Sequence, residues 1–211
     1  MPTVFDRDCR RCDRLAGFLD RVKEEHPDYY CRPVPPFGDP AARLLIVGLA
    51  PGKHGANATG RPFTGDYAGV LLYRTLHDFG FASAAASVAP DDGLELLDCR
   101  ITNAVKCLPP DNKPVGAEIN ECNAYLQAEL ATLSSGSVIL ALGGIAHRAV
   151  IKALGRRQAA HPFAHAAEHD LPALTLLDSY HCSRYNTNTG RLTADMFADV
   201  FRRARELLDT Q

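Results

Sequence analysis

LLIVGLAPGKHGANATGRPFTGD, residues 44–66, opens on a continuous apolar run and passes at once into a glycine-rich segment. An apolar run of this length bounded by turn residues has the pattern of a strand buried on both faces, as in parallel sheets. The turn after it looks like a phosphate-binding loop, but its spacing is wrong. A P-loop places four residues between its first Gly and the Gly-Lys pair, then Ser or Thr for Mg²⁺. Here Gly48 and Gly52 enclose three residues and His54 follows Lys53, so hydrolysis of a nucleoside triphosphate is disfavoured. The stretch still brings backbone close to something, and its one acidic residue, Asp66, arrives at its far end.

Working outward, strand and helix periods alternate. Residues 44–49 predict a strand and 69–79 a helix, with Val70, Leu71, Tyr73 and Leu76 apolar. A second strand follows over 100–107, then a helix over 117–133 with Ile119, Cys122, Leu126, Leu130 and Leu133 at helical spacing. Residues 138–142 and 174–177 predict two further strands, separated by a helix over 146–154. Thr193 caps a last helix whose Met196, Phe197, Val200, Phe201, Ala204 and Leu208 form one stripe. This alternation implies an α/β fold with a parallel sheet covered on both faces. At 211 residues, 46% of them hydrophobic, the chain suits a single domain over residues 1–211.

No apolar run has membrane-spanning length, and MPTVFDRDCRRC carries charges where a signal peptide needs an apolar stretch; a cytoplasmic location is expected. The formal net charge of −2 gives no bulk argument for nucleic acid, and Arg156-Arg157 and Arg202-Arg203 read as solvated helix faces. Seven cysteines, an odd number, argue against a disulfide framework. Cys9 and Cys12 form a C-x₂-C pair whose intervening arginines favour thiolates. Cys107, before a Pro-Pro turn, and Cys122, within a helical pattern, add a wider pair, and four converging thiolates suit zinc or an iron–sulfur cluster. Cys31, Cys99 and Cys182 read as small buried side chains.

In open parallel sheets, ligands bind beyond the carboxyl ends of the strands. Three pieces fall there: the loop over 48–66, the TNAVKC run with Asn103, and His181-Cys182-Ser183-Arg184-Tyr185-Asn186. GLAPGKHGANATGRPFTGD, ITNAVKCLPP and SYHCSRYNTNTGRLT, with the four cysteines, resemble the iron–sulfur uracil-DNA glycosylases of family 5, the type B enzymes. The resemblance runs from Cys9 to about Thr193. It implies an α/β/α sandwich around a four-stranded parallel sheet and a [4Fe-4S] cluster, iron rather than zinc, on Cys9, Cys12, Cys107 and Cys122. It also implies a monomeric enzyme that flips uracil, and other deaminated or mismatched bases, out of double-stranded DNA and hydrolyses the glycosidic bond, leaving an abasic site in base excision repair.

By the same resemblance Gly48, Leu49, Ala50, Pro51 and Gly52 shape the base pocket, and Phe63 stacks on the flipped uracil. Asn103 reads the base edge: its amide can donate to O4 and accept from N3–H, whereas cytosine presents the opposite order. His181 donates to O2, where negative charge builds as the base departs. Ser183, Arg184 and Tyr185 meet the DNA, with Tyr185 as the wedge. The chain departs from relatives in three places. Cys182 stands where many have Pro, and Leu49 and Ala50 stand where better-known uracil glycosylases carry an acid. Gly52 replaces the Tyr that rejects the thymine methyl group in the most uracil-selective enzymes, which implies a roomier pocket. Asp66 is then the nominee for the water or the sugar cation, its plainer alternative being a cap on the helix beginning near Tyr67. The missing acid keeps open a DNA-binding module of the same fold without turnover. An iron–sulfur electron carrier explains neither Asn103 nor the His181 loop.

Overall fold

A computed structural model describes residues 5–210. Four strands pair in parallel: β2 (Leu44–Gly48), β3 (Cys99–Asn103), β4 (Ser137–Leu142) and β6 (Leu174–Ser179). Two short antiparallel strands, β1 (Phe37–Gly38) and β5 (Glu168–Leu171), flank them in the order β1-β3-β2-β4-β6-β5. The parallel four are those expected. The edge strands add two to the count; they are short and only partly buried, so they lack the apolar run that marks a central strand.

Alternate residues of the parallel strands face opposite layers. Leu44, Ile46, Ile101, Val138, Leu140 and Leu177 pack on α3 (Tyr67–Asp78) and α7 (Ala194–Asp209) through Leu72, Tyr73, Leu76, Phe197 and Phe201. Leu45, Val47, Ile139, Ala141 and Leu176 pack on α4 (Gly116–Leu130) and α5 (Gly144–Ala153) through Leu126, Leu130, Val150 and Ile151. Thr193 caps α7 as expected, its hydroxyl accepting from the N–H of Met196 at 3.1 Å. Val70, placed on the apolar face of α3 by its pattern, is instead exposed to solvent.

A third cluster was not foreseen as a unit. The helix α1 (Asp13–Glu25) buries Leu15, Leu19 and Val22 against Val105, Leu108, Cys107 and Cys122. It also explains why the second predicted strand stops early. The amides of Ala104 and Val105 still donate to Gly48 and Leu49 carbonyls, at 2.9 and 3.0 Å, but the chain has left β3. Lys106 turns inward, donating to Thr102 and, at 2.7 Å, to Glu129, while Val105 and Cys107 face α1. The predicted run to Cys107 is therefore a strand to Asn103 followed by a turn under the amino-terminal helix.

Two further helices are short: α2 (Ala56–Thr59) in the glycine-rich loop and α6 (Arg184–Asn188) after β6. Of the two arginine pairs, Arg202 and Arg203 lie on α7 and engage Asp199, Glu168 and Glu206, whereas Arg156 and Arg157 are exposed in the connection after α5 rather than on a helix face.

Candidate active site

The carboxyl ends of β2, β3, β4 and β6 open into one cavity of about 470 Å³. Leu49, Ala50, Gly52, Phe63, Asp66, Asn103, His181, Ser183 and Arg184 line it, so residues far apart in sequence meet where the parallel sheet predicts. Pro51 is buried beside it without facing it, and Tyr185 stands outside, 72% exposed on α6. Gly48 does not line the cavity but fixes its back wall. A Cβ there would lie 2.4 Å from Asn103 Oδ1 and 2.7 Å from Phe63 Cζ, closer than any side chain tolerates.

Asn103, opposite Gly48 in the β2–β3 register, is buried, and its Oδ1 has no hydrogen-bond partner. Such an acceptor is costly unless a ligand satisfies it. Phe63 is buried with φ of 55°, a left-handed conformation that a bulky residue adopts only when its surroundings impose it. The surroundings are visible. Arg61 donates to Thr64, to Ser87 and to Asp92, the last at 2.7 Å in a nearly buried ion pair, and Tyr73 donates to the Pro62 carbonyl. Burial raises the Asp92 carboxyl, but Arg61 and the amides of Leu94, Val88 and Ala89 hold it well below the usual range. Gly69 completes the clamp: a Cβ there would meet the Phe63 carbonyl oxygen at 1.8 Å.

Asp66 is the cap of α3, the plainer of its two readings, and it also reaches the cavity. Its Oδ1 accepts from the Gly69 amide at 2.8 Å and caps α3, while the residue also lines the cavity. Its Oδ2 lies toward Gly52 and Gly55, where added Cβ atoms would stand 3.7 and 2.7 Å away. Burial pushes its carboxyl up, and the amides of Gly69 and Ala68 oppose that shift. A site at Gly52 would thus face the carboxylate, with room for a side chain.

His181 stacks on Phe63, ring centroids 6.0 Å apart and planes inclined by 28°. Burial depresses its pKa to about 4, so the ring is neutral at physiological pH and offers one N–H. Its carbonyl accepts from Asn186 at 2.8 Å, and Ser183 caps α6. Arg184 lies over the Tyr67 ring at 4.9 Å, which joins this loop to α3. Cys182 is fully buried in the core, so the side chain that replaces the usual Pro serves packing.

Several lining residues escaped the sequence reading: Leu142, Gly143, Gly144 and Ile145 at the junction of β4 and α5, Tyr67 and Ala68 at the start of α3, and Asn112. The Leu-Gly-Gly segment at a predicted strand end was the signal available for the first group. Asn112 gave none, because the turn that places it has left-handed residues at Asp111 and Asn112 without glycine.

The four paired cysteines gather beneath α1. Cys107 and Cys122 are buried, Cys9 and Cys12 partly so, and none is in a disulfide. Burial, then the neighbouring Cys122, Cys9 and Cys12, push the Cys107 thiol up, and burial and Cys122 raise Cys12 to about 11. Cys9 moves the other way: burial raises it, but hydrogen bonds from Tyr125 and Arg11 bring it below its ordinary value. Cys31, Cys99 and Cys182 are buried, as read from sequence.

The Uracil DNA glycosylase superfamily matches residues 35–205. The chain is 47% identical over 205 residues to the type-5 uracil-DNA glycosylase of Thermus thermophilus, covering 94% of this chain and 93% of that one. It is 44% identical over 200 residues to the type-5 uracil-DNA glycosylase of Pyrobaculum aerophilum, covering 93% and 87%. The crystal structure of wild-type Pedobacter heparinus SMUG2 superposes with a TM-score of 0.53 at 14% identity, over 99% of this chain and 94% of that one, a likeness of fold.

The burial of His181 sets a pH dependence of stability. Above about pH 6.5 the ring is neutral in folded and unfolded chains alike and contributes no slope. As pH falls from there toward 4, the unfolded chain takes up a proton that the folded chain resists, so stability drops. Thermal melting followed from pH 7 to pH 4 should therefore fall more steeply for the native chain than for His181→Asn.

Proposed function

The chain belongs to the uracil-DNA glycosylase superfamily, and from that premise we propose that it is a type-5, iron–sulfur enzyme: a monofunctional glycosylase that hydrolyses uracil from double-stranded DNA and leaves an abasic site. The observation that carries the reading is the unpartnered Oδ1 of buried Asn103 at the wall of the cavity. Uracil N3–H would satisfy it and cytosine N3 would not. Extrusion of the nucleotide costs a few kcal/mol of stacking and pairing. Phe63 returns part of that by stacking on the base, and exposed Tyr185 fills the gap left in the duplex. The enzyme acts as a monomer. Seven cysteines without a disulfide favour a cytoplasmic setting, and among the described residues no helix is long and apolar enough to cross a membrane.

Cleavage separates charge. The base leaves with negative charge on O2, and neutral His181 donates its N–H there without carrying a cationic charge of its own. The sugar passes through an oxocarbenium-like state, and Asp66 Oδ2 supplies the nearby anion. Its role is chiefly electrostatic, since Oδ1 is already committed to the helix cap.

Cys9, Cys12, Cys107 and Cys122 would hold a [4Fe-4S] cluster. The donor set fits: four sulfurs and no histidine, with Arg11 donating to Cys9 Sγ at 3.4 Å and positive Lys106 beside Cys122. When bound, the cluster supplies a crosslink that pins the amino-terminal segment to the turn after β3 and to α4.

The decisive experiment is single-turnover excision from a uracil-containing duplex, which also separates an enzyme from a binding module of the same fold. Asp66→Asn should keep DNA binding while cleavage slows by about two to three decades, roughly 3–4 kcal/mol in the barrier. Because the same change weakens a cap, melting is measured beside it: a large melting shift with near-native cleavage by the folded fraction would leave Asp66 a cap alone.

The purified protein should be brown, with iron and sulfide in about equal amounts, and Cys122→Ala should lose both the colour and part of the thermal stability. A colourless protein with one zinc per chain would overturn the cluster.

Gly52 leaves the base pocket open beside Asp66, so activity on thymine opposite guanine or on hypoxanthine is expected. A methyl group is worth only about 1–3 kcal/mol even in a pocket that resists it. Gly52→Tyr should suppress these substrates more than uracil; equal suppression of all would show that residue 52 does not face the base.

A further inference from the structure

Asp178, three residues before His181 on β6, is fully buried, and both carboxylate oxygens are engaged. Oδ1 meets His147 Nδ1, from α5, at 2.8 Å, and Oδ2 meets His169 Nε2, from β5, at 3.1 Å. His147 Nε2 meets the His161 carbonyl at 2.8 Å. None of the three side chains lines the pocket, and the chemistry assigned above does not use them.

The hydrogen bonds fix the proton count. A carbonyl only accepts, so His147 Nε2 carries a proton. A second proton lies between Nδ1 and Oδ1, because two lone pairs would otherwise face each other at 2.8 Å. His169 donates through Nε2–H, so both carboxylate oxygens of Asp178 are hydrogen-bonded. Asp178 therefore leaves no carboxylate oxygen without a partner.

The same bonds join the parts of the pocket that carry His181. His147 sits in the first turn of α5, its amide donating to the Gly143 carbonyl at 3.1 Å, and the Gly143 amide donates to Ser179 at 2.8 Å. Gly143 lines the cavity, and a Cβ there would lie 3.5 Å from His181 Cβ. Asp178 pairs with Ala141 and Ser179 with Leu142 in the β4–β6 register. A strand end, a helix start and an edge strand thus meet at one carboxylate, one residue before the Ser179 carbonyl that holds Gly143 in the wall beside His181.

We propose that His147, Asp178 and His169 are positioning residues: a buried, hydrogen-bonded clamp that holds His181 against the α5 wall and stacked on Phe63. In its rate arm the proposal rests on the glycosylase reading. In its spectroscopic arm it does not.

Asp178→Ala should slow single-turnover uracil excision by about 30-fold and change affinity for an abasic duplex by less than about 3-fold. In a His181→Ala background the same change should cost less than about 2-fold, since the clamp acts through His181. Asp178→Asn keeps both hydrogen bonds, its amide donating to His147 Nδ1 and its oxygen accepting from His169, and should restore the rate to within about 3-fold of native. By NMR, His147 Nε2 should be protonated in the native chain, and ring contacts between His181 and Phe63 should weaken in Asp178→Ala. If Asp178→Ala does not fold, His169→Phe removes one arm of the clamp and should shift rate and ring contacts in the same direction. A native chain that excises no uracil would sink the glycosylase reading alone, leaving the NMR contacts to decide the clamp. The clamp is overturned by a folded Asp178→Ala chain with intact His181–Phe63 contacts and near-native rate, by an undiminished loss in the His181→Ala background, or by a stoichiometric metal ion released by His169→Ala.

Discussion

Gly48, the last residue of β2, has no side chain to hold Asn103 and Phe63 away from the strand end, and the pocket depends on that vacancy. Both neighbours press onto the space a Cβ would fill. Asn103 reaches it from the adjacent strand through sheet register. Phe63 reaches it only because its backbone takes a left-handed conformation. That conformation is held by the Arg61–Asp92 pair, by the Tyr73 bond to Pro62 and by close packing of Gly69. The motif RPFTGD is therefore one mechanical unit. Arg61 fixes the loop, Phe63 presents the ring, Asp66 starts the helix, and the helix start holds the loop in place.

The sequence made the parallel strands legible because burial on both faces demands uninterrupted apolar runs, and those runs stand out between turn residues. Residues 44–49, 138–142 and 174–177 each match a strand to within two residues. The edge strands were invisible because β1 and β5 are short, half-exposed and without such a run. Residues 104–107 show the opposite failure. ITNAVKC is apolar enough to be a strand throughout, yet its second half packs against a helix that begins far away at Asp13, and tertiary contact overrode local pattern.

In the site, the legible residues were those whose chemistry belongs to a motif: Phe63, Asp66, Asn103 and His181. What stayed hidden was their support. Asp92 and Ser87 lie in a connecting segment with no periodicity, and only the fold brings them to Arg61. Asp178 and His147 looked like ordinary members of a strand and a helix, and His169 sits on an edge strand that the pattern did not reveal. Buried polar groups of this kind leave no trace in hydrophobic periodicity, because a single polar residue reads as an interruption. Their meaning depends on partners supplied from elsewhere.

The electrostatics of the pocket follow from this division. Among the described residues lining it, Asp66 is the only carboxylate, and Arg184, the only cation, is held over the Tyr67 ring. His181 is neutral through burial. A second carboxylate stands three residues behind it, and in a low-dielectric interior an unpaired anion at that place would favour the imidazolium. An imidazolium would bind the departing base as an ion pair already present in the ground state, and it would also attract Asp66, lowering the charge available to the sugar. The two histidines on Asp178 oppose this by occupying both of its carboxylate oxygens, so that it is not left unpaired. In the proposed reaction Asp66 would supply negative charge on the side where positive charge develops, and His181 a neutral donor on the side where negative charge develops. Such an arrangement stabilises the separated charges of the transition state more than the uncharged substrate, which is the condition for lowering the barrier.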